Sequence, residues 1–261
     1  MFRCAVKIMV CGKGGTGKTV VSILLAKVLS EGYRVYIVDS DESNILLPRL
    51  LGVKPPKPLI DYIGGKRDEA ELESRELDIA SMLSRAESGV RLRVLPDEYI
   101  SYSRDGVGLT VIGKVREYGE GCACPFNILT RILLRNLVLD NDEKVIVDTD
   151  AGIEHIGRGI EEAVDGIIAL IDPTAESIEI AALLRDVSLS LGKRFWVLAN
   201  KVDGRVKDIL VEKAEEAGLR IDGFIRFDEE IIESCLLGEE LRSDSALEDI
   251  KSIAYHLKLI E

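Results

Sequence analysis

Gly12-Lys13-Gly14-Gly15-Thr16-Gly17-Lys18-Thr19 decides how this chain reads. The stretch fits G-x-x-x-x-G-K-[ST], a loop built to hold phosphate. Its flanks agree. Val6-Lys7-Ile8-Met9-Val10 is apolar enough for a buried strand, and residues 18–31 carry the pattern of a helix. The glycines let backbone N–H groups approach phosphate oxygens, and the helix N-terminus adds partial positive charge. Lys18 is expected to reach the β- and γ-phosphates of a nucleotide, and the Thr19 hydroxyl to ligate Mg²⁺.

Lys13 follows the first Gly directly, giving K-G-G-T-G-K-T. This form resembles the deviant phosphate loop of a nucleotidase family that includes the nitrogenase iron protein, the Min and Par ATPases, and nickel- and iron–sulfur-assembly ATPases. The resemblance implies a P-loop NTPase in which Lys13 crosses a homodimer interface to the partner's nucleotide, an arginine finger's logic supplied in trans.

The bulk properties bound the rest. A chain of 261 residues, 46% of them hydrophobic, suits one large α/β domain. The net charge is −12 and no Lys/Arg cluster offsets it, which disfavours nucleic acid and anionic membrane as partners. No apolar run approaches the length of a membrane span, and a cytoplasmic protein is expected. There its five cysteines read as free thiols or metal ligands rather than disulfides.

The fold expected is a doubly wound, mainly parallel sheet of about seven strands with helices on both faces, one domain over 1–261. The strands are placed at 6–10, 35–38, 90–94, 109–115, 144–147, 166–171 and 195–199. Residues 67–87 read as a charged surface helix with a break. The block 54–105 reads as a lid or partner-binding insertion, with a solvated face as the plainer alternative. The C-terminal helix, 246–259, has balanced charge and reads as docking on its own domain.

After the second strand comes Asp39-Ser40-Asp41-Glu42-Ser43-Asn44. In the resembled family this is switch I, and Asp41 aligns with the carboxylate that orients the attacking water. Asp148-Thr149-Asp150-Ala151-Gly152 follows another strand and resembles switch II. The resemblance implies that Asp148 holds Mg²⁺ through water and that Gly152 offers an N–H near the γ-phosphate. Asn200-Lys201-Val202-Asp203 closes a later strand. In the resembled ATPases an Asn here binds the adenine edge, yet N-K-x-D also reads guanine. The Lys13 form of the loop favours ATP.

The second informative stretch is Gly119-Glu120-Gly121-Cys122-Ala123-Cys124-Pro125. Pro125 suits the first position of a helix that continues over 126–139, with Cys124 at its N-cap, where a thiolate is favoured. Cys122 and Cys124 would supply two thiolates, half of a closed tetrathiolate site, with two buried or incidental thiols as the plainer alternative. The economical completion is the same pair from a second subunit. Four thiolates suit Zn²⁺ and Ni²⁺ alike. In a chain with the deviant loop, this stretch is similar to that of the carbon monoxide dehydrogenase nickel-insertion ATPases, the CooC family. The Gly-Ile-Glu-His of 152–155 is similar to that family as well, although His155 reads first as a switch or interface residue. The resemblance implies a dimeric ATPase that binds Ni²⁺ and serves a nickel-enzyme client. Two alternatives stand beside it: an iron–sulfur carrier or scaffold holding [4Fe–4S] on the same thiolates, and a partitioning or positioning ATPase with incidental thiols.

Overall fold

Consecutive residues of the first strand feed opposite sides of one sheet. Ile8 and Val10 belong to one buried apolar cluster, and Met9 and Cys11 to the other. Such a strand reads as a continuous apolar run, because helices cover both its faces. The computed structural model describes residues 5–65, 68–84, 89–115, 124–150 and 159–260.

In chain order the elements are β1 (Val6–Gly12), α1 (Lys18–Ser30), β2 (Arg34–Asp39), α2 (Leu47–Leu50), α3 (Leu59–Tyr62), α4 (Glu69–Ser74), α5 (Glu76–Leu83), β3 (Ser101–Tyr102), β4 (Gly108–Val111), α6 (Cys124–Asn136), β5 (Glu143–Asp148), β6 (Gly166–Ile171), α7 (Ala175–Ser190), β7 (Arg194–Val202), α8 (Lys207–Glu216), β8 (Ile221–Arg226), α9 (Glu229–Leu237) and α10 (Asp244–His256). The sheet has eight strands in the order β3-β4-β2-β5-β1-β6-β7-β8. Among the described residues only the β3–β4 pair is antiparallel. Central β1 pairs with β5 on one side and β6 on the other, so the chain reverses its winding there. Loops at the carboxyl ends of β1, β2 and β5 therefore meet in one crevice, where open α/β sheets bind ligands.

One apolar cluster lies under α1, α2 and α10. The other lies under α4 to α8. Leu59, Ile60, Leu72, Ile79, Leu83, Leu95 and Tyr99 share the second cluster with Phe126, Leu129 and Leu133 of α6, so the block 54–105 contributes to this core. The charged run of 67–87 does break, at Arg75 between α4 and α5.

The structure corrects four expectations. The strand count is eight rather than about seven. Residues 90–94 form no strand: Val90 makes an isolated bridge to Leu137, and Leu92–Val94 is a 3-10 turn. The alternation there has another cause, because Leu92 is buried while Arg91 and Arg93 both reach Asp140. Two strands were missing from the expectation, the two-residue β3 and the edge strand β8, whose Ile221-Asp222-Gly223-Phe224-Ile225-Arg226 has little apolar signal. The helix of the Cys-x-Cys stretch begins at Cys124, one residue earlier than expected, and ends at Asn136 rather than 139. It stops because Val90 takes over its backbone partners: the Val90 N–H donates to Asn136 O and the Val138 N–H donates to Val90 O.

Candidate functional site: a phosphate loop and its switches

β1 delivers the chain to Gly12, whose φ is 144° and where a Cβ would lie 2.4 Å from the Leu170 carbonyl oxygen. No L side chain fits that turn. The loop closes on itself through Thr16, whose Oγ1 donates to Lys13 O at 2.9 Å. Gly17 then opens α1 with φ 95° and no side-chain cap. Helices α7, α9 and α10, by contrast, are capped by Thr174, Asp228 and Ser243. The first N–H groups of α1 are thus left for a ligand in a loop whose glycines admit close approach.

Lys18 lies nearly buried at the start of α1, its Nζ 3.2 Å from both Gly12 O and Lys13 O. Burial pulls its pKa down, against the pull of Asp148, Asp41 and Asp150 in the other direction. One residue on, Thr19 Oγ1 donates to Asp148 Oδ2 at 2.7 Å, and Ser22 Oγ donates to Asp148 Oδ1 at 3.0 Å. Asn44 Nδ2 donates to Thr19 Oγ1 at 2.8 Å. Asp148 is fully buried, and burial pushes its carboxyl up to about 6, with the Thr19 and Ser22 hydrogen bonds opposing. This set of hard oxygen donors fits Mg²⁺, which prefers one or two carboxylates and keeps several waters.

Two further carboxylates stand at the end of β2. Asp39 is fully buried, and burial raises it to about 7 although Lys114 Nζ lies 2.7 Å away. Asp41 Oδ1 accepts from Ser43 N–H at 2.9 Å and from Ser43 Oγ at 2.6 Å, a local turn within the switch segment. Lys13 faces another way. Its Nζ is 3.2 Å from Glu176 Oε2 at the start of α7.

Asn200 Nδ2 donates to Thr16 O at 2.8 Å, which ties the end of β7 to the phosphate loop. Lys201, at φ 58°, reaches Gly15 O at 2.5 Å. Both oxygens of Asp203 accept from Arg205: Oδ2 from the guanidinium at 2.6 and 3.0 Å, Oδ1 from the backbone N–H at 3.0 Å. Both side chains are exposed, so this surface pairing does not set the base preference.

The structure thus brings Gly12, Gly14, Gly15, Thr16, Gly17, Lys18, Thr19, Asp41, Asp148, Asn200 and Lys201 to one crevice edge. Gly152, His155 and Cys122 lie outside the described residues. Cys124 is the first residue of α6, half-buried and disulfide-bonded. Cys11 is completely buried within the sheet, its Sγ donating to Ile168 O at 3.7 Å, and burial pushes its thiol up to about 12. Among the described residues no group of three or more His, Cys, Asp or Glu stands together in a geometry for metal.

Sequence reading missed Ser22, Lys114 and Asn127. Ser22 had a signal, being one turn after Thr19 in an otherwise apolar helix. Lys114 had none, because its partners Asp39 and Asp41 come from a distant strand end. Asn127 sits on α6 three residues after Cys124, almost fully buried, and neither its Oδ1 nor its Nδ2 has a partner among the described residues. Unmet buried polar groups cost about 1–3 kcal/mol. Asn127→Leu is therefore expected to raise the stability of the nucleotide-free chain by about 1–3 kcal/mol, read as a higher urea midpoint at unchanged slope. A lower midpoint would mean that the amide has a partner in solution.

A phosphate loop on a sheet of this order, with a buried carboxylate beside the loop threonine, defines a P-loop nucleotidase. Residues 7–241 match the family model described as the CobQ/CobB/MinD/ParA nucleotide-binding domain, and the chain belongs to that family. It is an ATPase. Among its relatives is an uncharacterized ATP-binding protein of Methanocaldococcus jannaschii, 40% identical over 95% of this chain and 97% of that one. Another is the carbon monoxide dehydrogenase accessory protein CooC of Rhodospirillum rubrum, 34% identical over 86% of this chain and 85% of that one. The fold is that of the cell-division protein MinD from Aquifex aeolicus, with TM-score 0.67 at 18% identity over 98% of both chains. It is also that of a ParA-family ATPase from Chlorobium tepidum, with TM-score 0.65 at 19% identity over 99% of this chain and 100% of that one. No helix among the described residues is long and apolar enough to cross a membrane.

Proposed function

We propose that this chain is a dimeric ATPase that carries Ni²⁺ on Cys122 and Cys124 of two subunits and assists its insertion into a carbon monoxide dehydrogenase-type enzyme. The observation that carries the reading is the Cys-x-Cys of the sequence, whose second cysteine, Cys124, opens α6, in a chain 34% identical to a CooC accessory protein. Thiolates at a helix N-terminus are the form that binds metal. The disulfide at Cys124 must be reduced first, which the cytoplasm expected for this chain would do.

The chain's own residues divide the work. The loop amides and Lys18 hold and orient the phosphates. Thr19 and Asp148 would hold Mg²⁺, which would supply charge neutralisation at the transferring phosphoryl group. Asp41 orients water, and Asn200 meets the adenine edge. Lys13 leaves Glu176 and enters the partner's site. That move costs little, since a partly exposed ion pair contributes about 0–1 kcal/mol. Dimer closure brings the two Cys-x-Cys pairs together, and hydrolysis loosens them.

Anaerobic titration with Ni²⁺ in thiol-free reductant tests the metal half of this reading. The expected result is saturation at about one metal per two chains, as a shared tetrathiolate requires. Cys122→Ser/Cys124→Ser is expected to lose it. Binding that ignores the two cysteines would overturn the nickel reading. A brown, oxygen-sensitive protein with absorbance bleached by chelator would move the assignment to a [4Fe–4S] carrier.

A further inference from the structure

The segment after β2 is gripped from two sides by the chain that leads into and out of the Cys-x-Cys stretch. On the upstream side, residues 112–115 continue along residues 39–42 after the β2–β4 pairing has ended. The Ile112 N–H donates to Asp39 O at 3.0 Å and the Val115 N–H to Glu42 O at 3.3 Å. Between them Lys114 Nζ donates to Asp41 O at 2.5 Å and lies 2.7 Å from the Asp39 carboxylate. On the downstream side, Ser40 Oγ and Thr130 Oγ1 of α6 are 2.8 Å apart, both buried. Thr130 spends its own proton on Phe126 O at 2.9 Å, which makes Ser40 the donor. The two arms also touch each other: a Cβ on Gly113 would lie 2.2 Å from the Phe126 ring.

The same short segment ends on the nucleotide machinery. Ser40 N–H donates to Asp148 O at 2.9 Å, and Asn44 Nδ2 holds Thr19 Oγ1. Residues 39–44 are therefore shared between the Mg²⁺-binding pair and the base of α6, where Cys124 lies. Packed, hydrogen-bonded elements of this kind shift between discrete arrangements rather than deforming smoothly.

We infer that residues 39–44 carry the nucleotide state to the start of α6, and that Lys114 and Thr130 are the positioning residues that make the connection. Nucleotide on the phosphate loop changes the surroundings of Cys124 through these two contacts, and by linkage a ligand bound at Cys124 alters nucleotide affinity in turn. The inference rests on the nucleotide-binding part of the function proposed above and is indifferent to which metal, if any, the thiols take.

The test needs no metal. The full chain is reduced, freed of reductant under argon and treated with iodoacetamide, with and without Mg²⁺ and a non-hydrolysable ATP analogue. Alkylation of Cys124 is followed by peptide mass spectrometry, and analogue affinity is measured on the same samples. In the unmodified protein the Cys124 rate is expected to differ by about 5-fold or more between the two states. Thr130→Val, which keeps the shape and loses the hydroxyl, is expected to bring the ratio below about 2-fold while the analogue still binds. Thr130→Ser, which keeps the hydroxyl, is expected to restore it. Lys114→Met is the second variant for the other arm, with the same expected loss. Equal rates in the two states of the unmodified protein would overturn the coupling. An undiminished ratio in both Thr130→Val and Lys114→Met would overturn the route. Failure of the nickel reading would show instead in the metal titration and leave these rates untouched.

Discussion

Lys13→Ala is expected to lower ATP turnover by about 10³-fold or more, the range in which a charge supplied in trans acts on a transferring phosphoryl group. Nucleotide affinity is expected to change little. In the function proposed above, Lys18 and the loop amides make the chain's own phosphate site, whereas Lys13 Nζ lies on Glu176, at the start of α7. The effect should therefore fall on kcat rather than on the dissociation constant, the mark of an interaction made only in the transition state. Mixing gives the decisive arm. A Lys13→Ala subunit has an intact phosphate site, and a Lys18→Met subunit has an intact Lys13. Mixed dimers would hold one complete site, so activity is expected to reappear on mixing two nearly inactive proteins. No recovery in mixtures shown by mass to contain heterodimers would contradict the trans role.

Lys18→Met should behave differently. Lys18 Nζ sits at the mouth of the loop, 3.2 Å from two of its carbonyls, with Asp148, Asp41 and Asp150 acting on its charge. Removing the ammonium takes away a contact made to bound nucleotide and strengthened in the transition state, and a loss of about 10²–10³ in kcat follows from removing one such donor. Here affinity is expected to fall as well, which separates the two lysines in one experiment. Calorimetric titration of both variants with Mg²⁺ and a non-hydrolysable analogue reads the affinity, and phosphate release reads the turnover. Equal affinities for Lys18→Met and the unmodified protein would mean that the loop amides alone hold the phosphates.

The parts of this molecule that are local in sequence were legible there. The phosphate loop needs glycines, a lysine and a threonine at fixed spacing, and each stands where the motif requires, from Gly12 to Thr19. The strands buried on both faces, β1, β5 and β6, announced themselves as apolar runs, and Asp148 emerged at the end of one of them. What escaped reading was decided by contacts between distant segments. Residues 90–94 alternate because two arginines converge on Asp140, not because a strand forms. β8 holds its edge through register with β7 despite a weak pattern. Lys114 gains its role from Asp39, 75 positions earlier in the chain, and Thr130 from Ser40, 90 positions away. No spacing rule links such pairs.

The central claim is that two copies of this ATPase share one nickel ion through their Cys-x-Cys pairs. Native mass spectrometry of the reduced, nickel-titrated chain tests it most directly. The account predicts a species of two chains and one nickel, which disappears in Cys122→Ser/Cys124→Ser and persists in Thr130→Val. A monomer carrying its own nickel, or a dimer whose nickel survives loss of both cysteines, would contradict it.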